Sequence, residues 1–482
     1  MMSQVRRFRE AHRVIPQHLV SKSGGDRSGG ATSRQPVQSN RIVRAACALV
    51  AVLVAGCPAT SEEVRPPSDQ FYFPTGMDIS PDQELLFVAN ANSDLRYDGG
   101  TVLVVSLDRV DAVANEWLAT GSVPDGRDCE VDLMVPYTLV CNEREAVLDN
   151  RGVRIGNFVT DLQIQTLEDG SSLRIFTAVR GDPSLTWSDW DGEDMSCGGD
   201  GDFPECNDEH RLTQLRNDDD LSGIPDEPYA LHVDSVNGYV LVTHLTTGSV
   251  TLAAAPPGGE PPILSDALGN LFAPDPTTGI RGAVGAAGRL PGTPGDRIYV
   301  TSRSESRVQV LTVLRAAGWP VLVSAEYFFL NRVLPSTNGR DIAFSADGNS
   351  AYIINRSPPM LHIIDTSLNE QGVPKNDLRA GVEICPEASN LAIGDTGRGE
   401  RVYVACFRNG QVWVVDPAGA VVDAIIDIGR GPQALVASPD RKRLYVTNHL
   451  EDTIAVVDLT PESATENRVV LRLGRARQSG GD

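Results

Sequence analysis

One short run of residues recurs along this chain at intervals of roughly 40 to 50 residues, and repeats of that length leave few folds open, chiefly propellers and solenoids. The clearest copy is Ala434-Leu435-Val436-Ala437-Ser438-Pro439-Asp440, then Leu444-Tyr445-Val446-Thr447-Asn448, then Thr453-Ile454-Ala455-Val456-Val457-Asp458. It reads strand, tight turn, strand, turn, strand. Met77-Asp78-Ile79-Ser80-Pro81-Asp82 with Leu86-Phe87-Val88-Ala89-Asn90 repeats it, as does Ile342-Ala343-Phe344-Ser345-Ala346-Asp347-Gly348 with Tyr352-Ile353-Ile354-Asn355. Further copies lie at Tyr239–His244, Ile298–Ser302 and Val402–Cys406, with degenerate ones around 129–155 and 160–190.

The unit is physically coherent. Ser-Pro-Asp supplies a turn, because Pro sets φ and Asp bonds back to the backbone. β-branched and aromatic residues fill the strands, and the closing Asn can cap the next turn. A unit this small cannot bury its own faces, so neighbours must stack, and radial stacking hides most edges.

At Tyr445-Val446-Thr447-Asn448 the chain resembles the YVTN-repeat family, the lactonase-like β-propellers, over roughly 71–478. The resemblance implies an all-β propeller of seven or eight four-stranded blades; eight units can be counted, the one at 129–155 being weak. It implies much less about activity, since sugar-lactone hydrolases, surface-layer proteins, redox enzymes and binding proteins share the fold. The ring is expected to start on an inner strand and end on an outer one, without a strand-exchange clasp.

Ahead of the repeats, Arg41-Ile42-Val43-Arg44 and the apolar run Ala45–Gly56 make a charged n-region and a hydrophobic stretch too short to span a bilayer. Val54-Ala55-Gly56-Cys57 resembles the bacterial lipobox, which implies cleavage before Cys57 and its lipidation. The forty polar, Arg-rich residues before Arg41 exceed a usual leader. Pro58 after the cysteine resembles the enterobacterial pattern for sorting to the outer membrane. The expected organisation is 1–56 extension and signal peptide, 57–70 lipidated cysteine and flexible tether, 71–478 propeller, and 479–482 disordered tail.

The charge of −22 conceals a sharper asymmetry: the first 56 residues are net basic, and the remainder carries −29. A body so acidic is expected to repel nucleic acid and anionic lipid heads. Beyond the leader and Cys57 six cysteines remain, in three sequence-local pairs without C-x-x-C spacing. An exported chain makes these disulfides: Cys129 with Cys141, Cys197 with Cys206, Cys385 with Cys406. The first and last pairs are expected at nearly equivalent positions in their units.

Candidate functional residues sit at and just after the ends of the second strands: Arg180, Asp182, His244, Arg303, Arg356, Arg408 and His449, with Glu143 and Arg144 in the weak unit. Gathered at one channel mouth, they would form a cationic pocket for an anionic or hydroxylated ligand. The histidines are scattered singly, and no phosphate loop, G-x-S-x-G elbow or H-E-x-x-H appears. The acidic insertion 189–227 holds Asp218, Asp220, Ser222 and Gly223 at positions 1, 3, 5 and 6 of a calcium loop, but Tyr229 stands where the bidentate Glu belongs. Calcium is therefore the one cofactor the sequence raises. The leading expectation is a non-catalytic, membrane-anchored envelope propeller binding a protein, glycan or small ligand; the alternative is a periplasmic lactonase-like hydrolase or redox enzyme using these Arg and His residues.

Overall fold

Each repeat folds as an antiparallel meander because its turns are satisfied locally. Ser80 donates to Asp82, whose Oδ1 accepts the Glu84 amide at 3.0 Å, and Ser80 Oγ accepts the Leu85 amide at 2.9 Å. Ser345, Asp347 and Ser350 repeat the arrangement. The computed structural model describes residues 64–213, 223–293, 296–330 and 338–476. Cys57, Asp218, Asp220 and Ser222 lie outside the described residues.

Seven sheets form the ring. Blade I holds Pro74–Ile79, Leu85–Asn90, Gly100–Ser106 and Val153–Ile155; blade II holds Val159–Thr166, Leu173–Val179 and Ser184–Trp190 with the short outer strands Met195–Ser196 and Arg211–Thr213. Blade III runs from Pro228 to Leu268, blade IV from Ala283 to Phe329, blade V from Gly339 to Glu383, blade VI from Ala388 to Asp427 and blade VII from Pro432 to Leu473. The second and third strands are buried on both sides between blades, which is why Leu86-Phe87-Val88-Ala89 reads as a continuous apolar run. The repeat's tyrosines Tyr239, Tyr299, Tyr352, Tyr403 and Tyr445 are all buried there.

The rest of the Tyr-Val-Thr-Asn motif serves the backbone. Every first strand pairs with its neighbour through a bulge near its start. The Thr hydroxyl fills the bond the bulge breaks: Thr447 accepts from Ala434 N at 2.9 Å, Thr301 from Gly285 N at 3.0 Å, and Thr243 from Ala230 N at 2.9 Å. Asn448 and Asn90 then span the following turn to Thr453 and Thr101.

The eighth unit does not form. Between the third and fourth strands of blade I the chain leaves as helix α1, Leu107–Thr120, capped by Ser106 and by left-handed Gly121. It then makes a hairpin, Cys129–Val131 with Leu139–Cys141, before returning as Val153–Ile155. Its strand Leu139–Cys141 pairs in parallel with Arg468–Leu473, and the hairpin extends blade VII to six strands. The ring therefore does have a clasp, built from an excursion of blade I. Thr138 Oγ1 donates to Val469 O at 2.8 Å, and Arg441 pairs with Asp108 and Asp111 of α1. The expectation of open closure missed this because the pairing partner is more than 300 residues away. Residues 64–70, read as tether, are laid on the body: Asp98 N donates to Val64 O and Ser68 to Asp149.

All three expected disulfides are formed. Cys385, just ahead of blade VI's first strand, is linked to Cys406 at the end of its second, whereas Cys129 and Cys141 close the clasp hairpin, so the two pairs are not equivalent. Replacing both Cys129 and Cys141 with serine is expected to cost about 2 kcal/mol, the low end for a disulfide because the closed loop is short. A denaturation midpoint unchanged by the double substitution would contradict this.

Candidate functional site

The turns joining second to third strands, and the loops joining blades, share one face, here called the upper face. From blades II to VI its inner rim carries an arc of charge. Arg180 pairs with Glu227 at 2.5 Å, and Thr246 also donates to Glu227. Arg340 of blade V reaches past blade IV to the Tyr229 hydroxyl of blade III at 2.7 Å, so this bond bars the channel mouth. Arg356 donates to Ala388 O at 2.6 Å. Burial, and then the nearby charges of Arg340 and Arg303, push Arg356 down to about 10 against the opposing pull of Tyr229 and Glu387. Glu227 is held low, its burial outweighed by Thr246, Arg180 and Arg303. Beside Arg303 a cavity of about 240 Å³ is lined by Asp275, Thr278, Ser304 and Asn338.

On the other side of the rim the surface is aromatic. His449 packs against Phe73 and Phe407, with ring centroids 5.1 and 6.3 Å away.

Of the residues picked out by sequence, the mouth gathers Arg180, Arg303 and Arg356. Arg408 stands on the same face, 69% exposed and 3.5 Å from Glu387. His244 is a different matter. It ends its strand wholly buried, bonded to Thr251 at 3.0 Å, and burial holds it at about 4. Asp182 pairs with Arg211 of the insertion. Glu143 and Arg144 follow the clasp hairpin on the outer edge, where Arg144 meets Asp69 at 2.5 Å. Arg340, Tyr229 and Glu227 were missed; aligning the first strands at their bulge would have placed Tyr229 and Arg340 at the same inward position.

Below the Tyr229–Arg340 bar lies a channel of about 590 Å³. Its wall is a belt of carboxylates that tie blades together. Asp161 accepts from Leu162 N and, in the next blade, Leu231 N; Asp341 does the same with Ile342 and Leu391, and Asp78 with Ile79 and Ile164. Enclosure raises all three, Asp78 and Asp341 to about 6 and Asp161, which also feels the other two, to about 8. Among the described residues no group of three or more His, Cys, Asp or Glu is placed to hold a metal ion.

No protein-family model matches the chain, and no curated protein matches it. Solved structures do. A candidate 6-phosphogluconolactonase from Bacteroides fragilis superposes with a TM-score of 0.52 at 13% identity, over 82% of this chain and 99% of that one. A periplasmic gluconolactonase from Pseudomonas aeruginosa gives 0.46 at 15% identity over 74% and 86%, and Kuenenia stuttgartiensis hydrazine synthase gives 0.48 at 13% over 85% and 100%. Identity this low speaks to the propeller fold alone.

Proposed function

We propose that this chain is an exported lipoprotein, attached to the outer membrane through Cys57, whose propeller binds an anionic, hydroxylated small ligand at its upper mouth. The observation that carries the ligand class is the Arg340 guanidinium held at the channel mouth by the Tyr229 hydroxyl at 2.7 Å, with Arg356 close enough to feel its charge. Like charges are held together at a cost, and an anion relieves it. The tilted rings of Phe73, His449 and Phe407 on the other side of the rim add apolar contact for a sugar-like ring. Three disulfides favour an oxidising compartment, in keeping with export. Lipidation is tested by the mass of the protein recovered from envelopes, in wild type and Cys57→Ser.

Binding is tested by calorimetry with gluconate. Arg340→Ala is expected to weaken it roughly 10-fold to 100-fold, the worth of one charged hydrogen bond. Unchanged affinity would remove the mouth from consideration. The hydrolase reading is supported by the lactonase-like company of the fold. It takes precedence if the wild type opens gluconolactone and Arg303→Ala does not.

A further inference from the structure

We infer that the seam between blades I and VII, at one edge of the upper face, rests directly on the lipid bilayer and leaves the mouth open, through an apolar rim formed by Val64, Leu95 and Leu450. These side chains are 57%, 58% and 44% exposed. They come from three separate stretches that the fold brings to one place. Leu95 lies in the turn between the second and third strands of blade I, and Leu450 in the corresponding turn of blade VII. The two turns flank the ring seam, where Phe73 N, just before the first strand of blade I, donates to Asp452 at 2.8 Å and Arg96 lies within electrostatic range of Asp452. Val64 is fixed beside them, its carbonyl accepting from Asp98 N at the end of the blade I turn.

What covers this rim follows from where the chain leaves the body. Only seven residue steps separate Val64 from Cys57, which even fully extended reach no more than about 25 Å. A lipid on Cys57, the attachment this inference rests on, therefore keeps the blade I and VII seam close to the membrane. So short a leash gives a high effective concentration, and three apolar residues suffice where they could not hold a free protein.

Charge sets the kind of bilayer that fits. Arg96, Arg408 and Arg430 on this face are paired with Asp94, Glu387 and Glu451. Asp98 and Asp452 add negative charge at the seam of a body that is acidic overall, so the matching surface is zwitterionic lipid. Leu133 and Met134 are more exposed, at 94% and 88%, but they tip the clasp hairpin, whose strand Leu139–Cys141 starts from the opposite face. The short tether cannot bring that tip to the same surface while the seam is held.

The test couples the chain beginning at Cys57 to phosphatidylcholine vesicles doped with a maleimide-headgroup lipid, so that attachment does not depend on cellular lipidation. With the other six cysteines in disulfides, Cys57 is the free thiol. Amide hydrogen exchange is compared with the same chain capped by a soluble maleimide. Exchange at 92–97 and 449–452 is expected to slow severalfold on vesicles, while 81–84 and 132–137 on the far side stay unchanged. The double variant Leu95→Asp, Leu450→Asp should lose the slowing and keep wild-type exchange in the strands. Slowing on both faces, on the far face, on neither, or retained in the double variant overturns the inference. Failure of lipidation in cells would be seen separately, as an unmodified mass.

Discussion

Asp458→Ala is expected to lower stability by about 3–5 kcal/mol, the cost of leaving a buried charge without its partner. Asp458 is 2% exposed and accepts from Arg443 at 2.5 Å, from Thr460 N and Oγ1, and from the hydroxyls of Ser463 and Thr465. Arg443, itself buried, continues to Asn115 of α1 at 3.0 Å. One carboxylate thus joins the third strand of blade VII to the helix that closes the ring. Burial alone would raise its pKa, but the hydrogen bonds from Thr465, Thr460 and Ser463 overcome this and hold it low. Its contribution is therefore complete above about pH 4 and fades as pH falls further. Asp111 stays 3.8 Å from Arg443 and softens the loss without replacing it. Asp458→Asn, which keeps an acceptor, should lose distinctly less. Urea denaturation decides it: a change under about 1 kcal/mol for the alanine variant would mean the network is not what closes the ring.

The blades were legible in the sequence because each repeat satisfies its own turns, bulge and caps with residues inside the repeat. The clasp was not. Its strand Leu139–Cys141 pairs in parallel with Arg468–Leu473, and neither segment carries the motif. Helix α1 did leave a signal, with Leu107, Val110, Val113, Ala114 and Trp117 on one buried face behind a Ser cap, but a search for strands passes over it. At the mouth, reading outward from Tyr-Val-Thr-Asn finds turn residues such as Arg303. It misses Arg340 and Tyr229, which reach the mouth from the first strands, and includes His244, whose strand register turns it inward.

The channel belt and the buried histidines should give the protein a flat stability profile in mild acid that is a cancellation of opposed slopes. Asp161 titrates near 8 when folded, above its unfolded value, so its contribution is full below about pH 4 and is lost as pH rises towards 8; Asp78 and Asp341 act the same way up to about 6. His232, His244 and His362 are each held near 4 by burial, so theirs is full above about pH 6.5 and is lost as pH falls. Between pH 6.5 and 5 the two sets oppose each other. Removing one member of either should expose the slope of the other. His362 is 5% exposed with neither ring nitrogen hydrogen-bonded, so His362→Leu should not weaken the fold, and its stability should rise by about 2 kcal/mol relative to wild type on going from pH 6.5 to 5. Asp161→Asn should tilt the other way, by somewhat less, since Asp161 keeps an edge on the channel; Asn390 holds the same position in blade VI, so an amide fits the belt. Denaturation midpoints at the two pH values read both tilts. Parallel profiles for the two variants would show that neither the belt nor the histidine carries the proton linkage, whereas opposite tilts locate it in the channel wall and in blade V.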